Sequence, residues 1–253
     1  MTHIQGVLSV LIPAYNECES IAESVRETIG VCRESCDDYE IIVIDDGSSD
    51  DTYAQVKNLA AEDARVCVIQ CAENQGKGFA LRHGFEFARG QWIVFLDADL
   101  DLHPRHIGTL YDILQSEGAD CVIGSKRHPQ SRLIYPPYRR ILSTGYYWII
   151  RFLFGLPVRD TQTGIKLFKR QVLEDILPLI VVKRFAFDLE LLVNIHRLGY
   201  RIAEAPVHLA FRRRYGRIGW RDMRNIWVDT AAVFYRLYIL RYYDRRQEEL
   251  ERA

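Results

Sequence analysis

Trp92-Ile93-Val94-Phe95-Leu96-Asp97-Ala98-Asp99-Leu100-Asp101 is an apolar run that ends in three carboxylates at alternate positions. Read as one strand, its side chains change face at every residue, so Asp97, Asp99 and Asp101 point the same way, each roughly 6–7 Å from the next. Like charges at that spacing repel and raise one another's pKa unless a cation sits among them. A hard divalent ion, Mg²⁺ or Mn²⁺, is the natural partner, because it takes oxygen ligands and is usually held by one or two carboxylates plus substrate phosphates. A strand end with an aspartate in its turn explains one such residue. Three on one face point instead to a ligand, since open α/β sheets bind ligands at their strand ends.

Working outward, Val7 to Tyr15 reads as an apolar strand stopped by Pro13, followed by an amphipathic helix from Glu17 to Cys36. Glu40 to Ile44 is a second buried strand, with Ser49 or Asp50 capping the helix after it. Val66 to Gln70 is a short third strand, Gly78 to Ala88 a helix, and a further helix starting at Pro104 leads to a fifth strand, Asp120 to Gly124. Strands alternating with helices, without hairpin turns, predict a largely parallel sheet covered by helices. Polar clusters then fall at one edge of it: Pro13-Ala14-Tyr15-Asn16-Glu17, Asp45-Asp46-Gly47-Ser48, Asp97 to Asp101 and Gly124-Ser125-Lys126-Arg127. Together they predict a crevice sized for a nucleotide. Asn74-Gln75-Gly76-Lys77-Gly78 is not a P-loop, because Cys71 stands where the first glycine belongs and Gly78 where the hydroxyl residue belongs. Its glycines beside a lysine can still approach a phosphate or ribose, or simply make a flexible turn.

The second half differs in character. Tyr138 to Gly155 is a helix rich in Tyr, Trp, Phe and Ile with Arg139, Arg140 and Arg151 near its ends, a pattern that suits either a headgroup-level helix or a core helix. A polar turn, Asp160 to Gly164, precedes a strand from Ile165 to Phe168; Phe187 opens a helix to about Leu198, and Tyr200 to Phe211 reads as a strand. Arg212-Arg213-Arg214-Tyr215-Gly216-Arg217 is a cationic loop, and Trp220 to Arg246 a long amphipathic helix that could dock on a membrane, a partner or this protein's own body.

The 253 residues, 48% hydrophobic, suffice for one large α/β domain. Net charge is −1, but residues 211–253 carry 11 Arg and Lys against 6 Asp and Glu, so the basic charge gathers at the C-terminus and suggests a membrane surface or polyanion. Its aromatic, amphipathic face favours lipid or partner docking over nucleic acid. The six cysteines form no C-x-x-C pair and nothing resembles a secretory leader, so reduced, mostly buried thiols and a cytoplasmic setting are expected. The longest uncharged run, Ile141 to Ile150, falls short of the ~20 apolar residues of a spanning helix.

With these residues in hand, the chain resembles family 2 glycosyltransferases of the GT-A fold, specifically the polyprenyl-phosphate (dolichyl-phosphate) glucosyl- and mannosyltransferases. The resemblance runs from about Val7 to Trp220 and rests on the ordered clusters above, with Asp160-Thr161-Gln162-Thr163-Gly164-Ile165-Lys166 and Phe187-Asp188-Leu189-Glu190. It implies an α/β GT-A fold, with a Rossmann-like nucleotide-binding core and C-terminal amphipathic helices. A catalytic domain over 1–211 would divide into a nucleotide-sugar half (7–126) and an acceptor half (127–211), followed by a basic loop and helix (212–253). The implied reaction moves a hexose from UDP-glucose or GDP-mannose to a polyprenyl or dolichyl phosphate, with inversion, on the cytoplasmic membrane face.

By position, the resemblance puts the donor on Pro13, Tyr15, Glu17, Asp45, Asp46 and Lys77. Asp97 and Asp99 would be the D-x-D pair around diphosphate and metal, with Asp101 as a further ligand of Mg²⁺ or Mn²⁺. Arg127 would meet phosphate. Arg139, Arg140, Gln162, Arg212, Arg213, Arg214 and Arg217 fall in the acceptor region. Relatives often carry C-terminal transmembrane helices, so peripheral attachment through the two amphipathic helices, or recruitment by a separate membrane subunit, is expected. A phosphate acceptor needs no strong general base, whereas a sugar hydroxyl would, and Asp188 is the candidate for that role. A non-catalytic nucleotide-binding scaffold is the alternative from a different class; a nucleotidyltransferase would begin with a glycine-rich triphosphate loop, which Pro13 to Glu17 is not.

Overall fold

The computed structural model describes residues 3–133, 137–184, 186–209 and 220–252; at 133, 137–143, 220–224 and 226 it describes the backbone alone. The first half alternates strand and helix as expected: β1 (Ile4–Ala14), α1 (Ile21–Ser35), β2 (Cys36–Asp45), α2 (Thr52–Glu62), β3 (Val66–Gln70), α3 (Lys77–Phe85), β4 (Trp92–Leu96), α4 (His106–Glu117) and β5 (Cys121–Ser125). The second half adds β6 (Arg132–Leu133), α5 (Pro137–Phe154), β7 (Ile165–Lys169), α6 (Arg170–Ile176), α7 (Phe187–Arg197), β8 (Ile202–Pro206), β9 (His208–Leu209), α8 (Trp220–Phe234) and α9 (Tyr242–Arg252).

Seven strands form one sheet in the order β3-β2-β1-β4-β7-β5-β8. Neighbours run parallel except at β7, which is antiparallel to both β4 and β5. Period-two alternation buries both faces. Leu8, Val10 and Ile12 of β1 pack with Val25, Val56 and Leu110 from α1, α2 and α4. Leu11, Ile44 and Phe95 face the other way, towards Leu81 of α3 and Phe187 and Leu191 of α7. Each fully buried side chain of this kind contributes about 1.5–3 kcal/mol relative to exposure, which is why continuous apolar runs became central strands.

Register positions the site. Ala14 pairs with Asp45 and Leu11 with Phe95, so β1, β2 and β4 all end at one edge. β7 starts at that edge because it runs the other way, Ile165 opposite Leu96, and so delivers Gly164 to Asp97. The Asp97 N–H donates to the Gly164 carbonyl at 3.1 Å. The two expected halves therefore share one sheet, with β7 from the second lying between β4 and β5 of the first.

Three expectations need correction. β4 stops at Leu96, so Asp97, Asp99 and Asp101 are not three side chains on one strand face. They occupy a turn in which Leu100 takes a φ of 58° and the Asp101 N–H donates to Asp99 Oδ1 at 3.1 Å, an aspartate bonding the backbone two residues on. Residues 220–246 are not one helix: α8 passes into a π-helical turn, Tyr235–Ile239, Arg241 adopts a φ of 47°, and α9 starts afresh. The bend lets Tyr243 return to the body, where it is 1% exposed. The strand expected from Tyr200 to Phe211 is the shorter pair β8 and β9, with 210 and 211 outside the described residues.

α5 and α8 lie side by side through Tyr146 and Trp227, whose rings are 5.8 Å apart, and Phe154 and Phe234, at 6.2 Å. Each presents one face to the body, through Ile150 and Phe154 of α5 and Thr230 and Val233 of α8. Each also leaves large apolar groups outside: Phe152 is 89% exposed and Trp148 61%. Among the described residues no helix is long and apolar enough to cross a membrane. All six cysteines are free, four of them buried.

Candidate active site

The turns after β1, β2 and β4 and the loop before α3 surround an open cleft of about 220 Å³. Pro13, Tyr15, Glu17, Asp46, Lys77, Asp97 and Asp99 line it together, with Asn74 and Gly76. Seven of the residues expected from the sequence therefore meet in one place.

Each is held by its turn. Asn16, in the left-handed region at φ 54°, accepts the Ser49 N–H at 2.8 Å and donates its own N–H to Ser48 Oγ at 2.9 Å, which locks the β1 turn to the β2 turn. Asp50, rather than Ser49, accepts the Thr52 N–H at the start of α2. Tyr15, 47% exposed at the mouth, offers a flat ring to a base. Asp45, expected to hold the donor, is fully buried and does not line the cleft: its Oδ1 accepts the Ser48 N–H at 3.1 Å, while Oδ2 has no hydrogen-bond partner among the described residues.

Asp46 spends both oxygens on the next turn, accepting the N–H groups of Gln75 at 3.0 Å and Gly76 at 2.7 Å. Gly76 has a φ of 102°, and a Cβ there would lie 2.6 Å from the Lys183 carbonyl. The glycine therefore serves a close backbone approach, and Lys77 follows it into the cleft. Its ammonium bonds Asp97 Oδ1 at 2.7 Å and lies 3.7 Å from Asp188 Oδ2. Burial would lower the Lys77 pKa, but Asp188 and Asp97 outweigh it and hold the group charged.

Asp99 is the strained member. Burial, then the neighbouring Asp97 and Asp101 carboxylates, push its pKa up to about 6. Such a site favours a cation. Among the described residues no three His, Cys, Asp or Glu side chains are gathered as a ready cage. A divalent ion here would draw on Asp97 and Asp99 and complete its shell from phosphate and water, the usual arrangement for Mg²⁺. Asp101 does not line the cleft.

Asp188 stands behind Lys77 and is 6% exposed. Burial alone would raise its pKa, but Lys166, at 2.8 Å, and Lys77 hold it below the ordinary carboxylate range. A carboxylate held by two ammonium groups is a poor proton acceptor, so the general-base role weighed for Asp188 does not suit its surroundings. Lys166, 1% exposed in the middle of apolar β7, also donates to the Thr163 carbonyl. In the sequence it closes the motif Asp160 to Lys166 with no role of its own assigned; a lone lysine inside the apolar run Ile165 to Phe168 is the signal for one. Asn74 was likewise read only as part of a turn.

Arg127 and Gln162 do not line the cleft. β7 separates β5 from β4, so the polar end of β5 lies two strand spacings away, about 10 Å. Arg127 instead donates to Thr144 Oγ1 at 3.2 Å and covers the Tyr147 ring at 5.0 Å, both on α5. Asp160 ties the neighbouring turn together, accepting the N–H groups of Lys126 at 3.0 Å and Gln162 at 3.1 Å. The Gln162 Nε2 is buried without a hydrogen-bond partner among the described residues. The side chains of Arg139 and Arg140, and all of Arg212, Arg213, Arg214 and Arg217, lie outside the described residues.

Residues 9–177 match the family described as Glycosyl transferase family 2. Glycosyltransferase AglD of Haloferax volcanii is 35% identical over 202 residues, covering 79% of this chain and 32% of that protein. The dolichyl-phosphate beta-glucosyltransferase of Dictyostelium discoideum is 31% identical over 214 residues, 79% of this chain and 65% of the relative. A dolichyl-phosphate beta-glucosyltransferase of Trichomonas vaginalis, ALG5A, is 34% identical over 209 residues, 79% and 64%. The match thus spans less than two thirds of each of these relatives. Glucosyl-3-phosphoglycerate synthase from Mycobacterium tuberculosis, solved with Mn²⁺, UDP and glucosyl-3-phosphoglycerate, superposes with a TM-score of 0.67 over 91% of this chain and 79% of that one. At 24% identity that likeness speaks to the fold, the α/β architecture described above. A family match over more than half of the sequence, on a fold that gathers the D-x-D pair, Lys77 and the turns after β1 and β2 in one cleft, establishes that the chain belongs to glycosyltransferase family 2.

Proposed function

We propose that this chain transfers a hexose, glucose from UDP-glucose ahead of mannose from GDP-mannose, to the phosphate of a polyprenyl or dolichyl lipid at a membrane surface, with inversion at the anomeric carbon. The observation that carries the choice of acceptor is the state of Asp188, buried and paired with Lys166 and Lys77. A sugar hydroxyl arriving here would find that carboxylate unfit to take its proton. A phosphate monoester has its second pKa near ~6 and arrives at neutral pH already a nucleophile. The names of the dolichyl-phosphate relatives support the same reading.

In this reading Tyr15 and Glu17 meet base and ribose, Asp45 holds the β2 turn beneath them, and Lys77 neutralises the donor diphosphate as it leaves. Mg²⁺ or Mn²⁺ on Asp97 and Asp99 would supply further charge stabilisation for that leaving group. The phosphate oxygen attacks the anomeric carbon, the bond to the nucleoside diphosphate breaks, and no proton need move. Gln162 and Arg127, which do not line the donor cleft, would in this reading meet the acceptor. The test is a panel of nucleotide sugars offered with a polyprenyl phosphate and a divalent cation, against the same panel with sugar-hydroxyl acceptors. A lipid-linked hexose that forms only with the phosphate acceptor, and disappears with chelator, is the expected product. Transfer to hydroxyl acceptors alone would reject the reading.

A further inference from the structure

Glu190, two residues beyond Asp188 on α7, takes no part in the donor cleft, yet it is 0% exposed. Its Oε2 accepts the backbone N–H groups of Val181 at 3.0 Å and Val182 at 2.7 Å. Its Oε1 accepts the Tyr243 hydroxyl at 2.5 Å and faces the Arg236 guanidinium at 3.2 Å. The Arg236 Nε in turn donates to the Tyr243 hydroxyl at 3.2 Å. One buried carboxylate thus ties both C-terminal helical segments to residues 181–184. So complete a burial is unfavourable unless the lone pairs are met, which makes these contacts interdependent.

Residues 181–184 hold the donor turn in their own right. The Lys183 carbonyl accepts the N–H groups of Gly78 at 2.9 Å and Phe79 at 3.4 Å, at the start of α3. Lys183 Nζ donates to Gln75 Oε1 at 3.2 Å. Lys77, the residue that reaches Asp97, lies between those attachments. Beside this route an open hollow of about 460 Å³ is lined by Val181, Lys183, Arg184, Asp229 and Arg236 among others. A displacement of the helices reaches the segment through this polar tie, alongside Val233, which shares a core with Val182, and Asp229, which bonds the Ala186 backbone.

We propose that Tyr243, Arg236 and Glu190 are positioning residues: they fix the 181–184 segment and through it set Lys77 for the donor diphosphate, so that the seating of the C-terminal helices controls donor affinity. The inference rests on the cleft being a nucleotide-sugar site. Its test measures UDP and GDP binding by the full chain as wild type, Tyr243→Phe and Arg236→Lys, each with and without Lys77→Met, alongside amide exchange over 76–79 and 181–184. Tyr243→Phe keeps the ring that fills the core; Arg236→Lys keeps the cation and loses the bond to Tyr243, so either variant serves if the other misfolds. The expected result is a nucleotide affinity reduced about three- to thirty-fold with faster exchange in both segments, and no additional loss once Lys77 is already Met. Affinity that is unchanged, or that falls equally with and without Lys77, overturns the positioning role while leaving the cleft reading intact. A wild type that binds neither nucleotide removes the cleft reading, and this inference with it.

Discussion

Lys77 and Asp188 show what the site asks of individual residues. Lys77 must remain charged while half-enclosed, and it does so because Asp188 and Asp97 outweigh the effect of burial. Asp188 must remain ionised while buried, and it does so because Lys166 and Lys77 face it. Replacing Asp188 by Asn would leave Lys166 buried without its counter-ion, a loss of about 3–5 kcal/mol and a melting temperature lower by roughly ten degrees. The pH dependence has a definite sign. Because the folded-state pKa of Asp188 lies below its unfolded value of about 3.9, the stabilisation is complete above that value and is lost as pH falls through the depressed one. The melting gap between wild type and Asp188→Asn should therefore be full at neutral pH and shrink below about pH 4. Well below its melting temperature the variant should keep kcat within about tenfold of wild type, since no proton leaves through this carboxylate. A hundredfold fall in kcat with an unchanged melting curve would return Asp188 to the role of base.

Secondary-structure elements matter here through what they bring to one edge. β7 runs against its neighbours so that its first residues, not its last, meet the end of β4, and Gly164 abuts the Asp97 carboxylate with no space for a methyl group. The Gly164 backbone itself does not exclude a side chain, so Gly164→Ala should fold with a melting temperature near that of wild type while pushing Asp97 off Lys77. Misplacement of this order costs about 10²-fold in kcat/KM. Adding Asp97→Asn to Gly164→Ala should then lose little more; two fully additive losses would mean that the methyl acts elsewhere. The strands themselves were legible as apolar runs closed by Pro, Asp and Gly, and so were the carboxylates, Tyr15 and Lys77. The insertion of β7 between β4 and β5 was not, because pairing across some seventy residues leaves no local periodicity. The break after α8 escaped for a related reason: neither Gly nor Pro stands between Tyr235 and Tyr242, and the left-handed φ at Arg241 is sustained by the burial of Tyr243 against Glu190. The strand alternation that singled out the three aspartates was the wrong geometry, yet Asp97 and Asp99 reach the cleft because the turn that replaced it is tied to Gly164 and Lys77.

At the scale of the whole molecule the exposed apolar groups gather on the paired C-terminal helices. α5 and α8, packed side by side, bury one face each in the body, yet α5 keeps Trp148 and Phe152 outside and the π-helical turn after α8 keeps Tyr235, Tyr238 and Ile239 outside. Aromatic and aliphatic groups outside a well-packed core, beside arginines such as the exposed Arg151, have the chemistry of a surface seated at the headgroup level of an anionic membrane. A proteinaceous groove would want the same apolar groups but would not respond to lipid charge. Phe152, 89% exposed, can be replaced without disturbing the core. Trp148→Glu with Phe152→Glu should lower binding to vesicles containing anionic lipid by about tenfold or more, since two buried rings are exchanged for two repelled charges. Raising the salt concentration should weaken the wild type in the same assay. Donor hydrolysis in the absence of lipid should stay at its wild-type rate, because neither side chain approaches the cleft, whereas transfer to a polyprenyl phosphate held in vesicles should fall with the binding. Vesicle binding that ignores both substitutions and salt would transfer this surface from the bilayer to a protein partner.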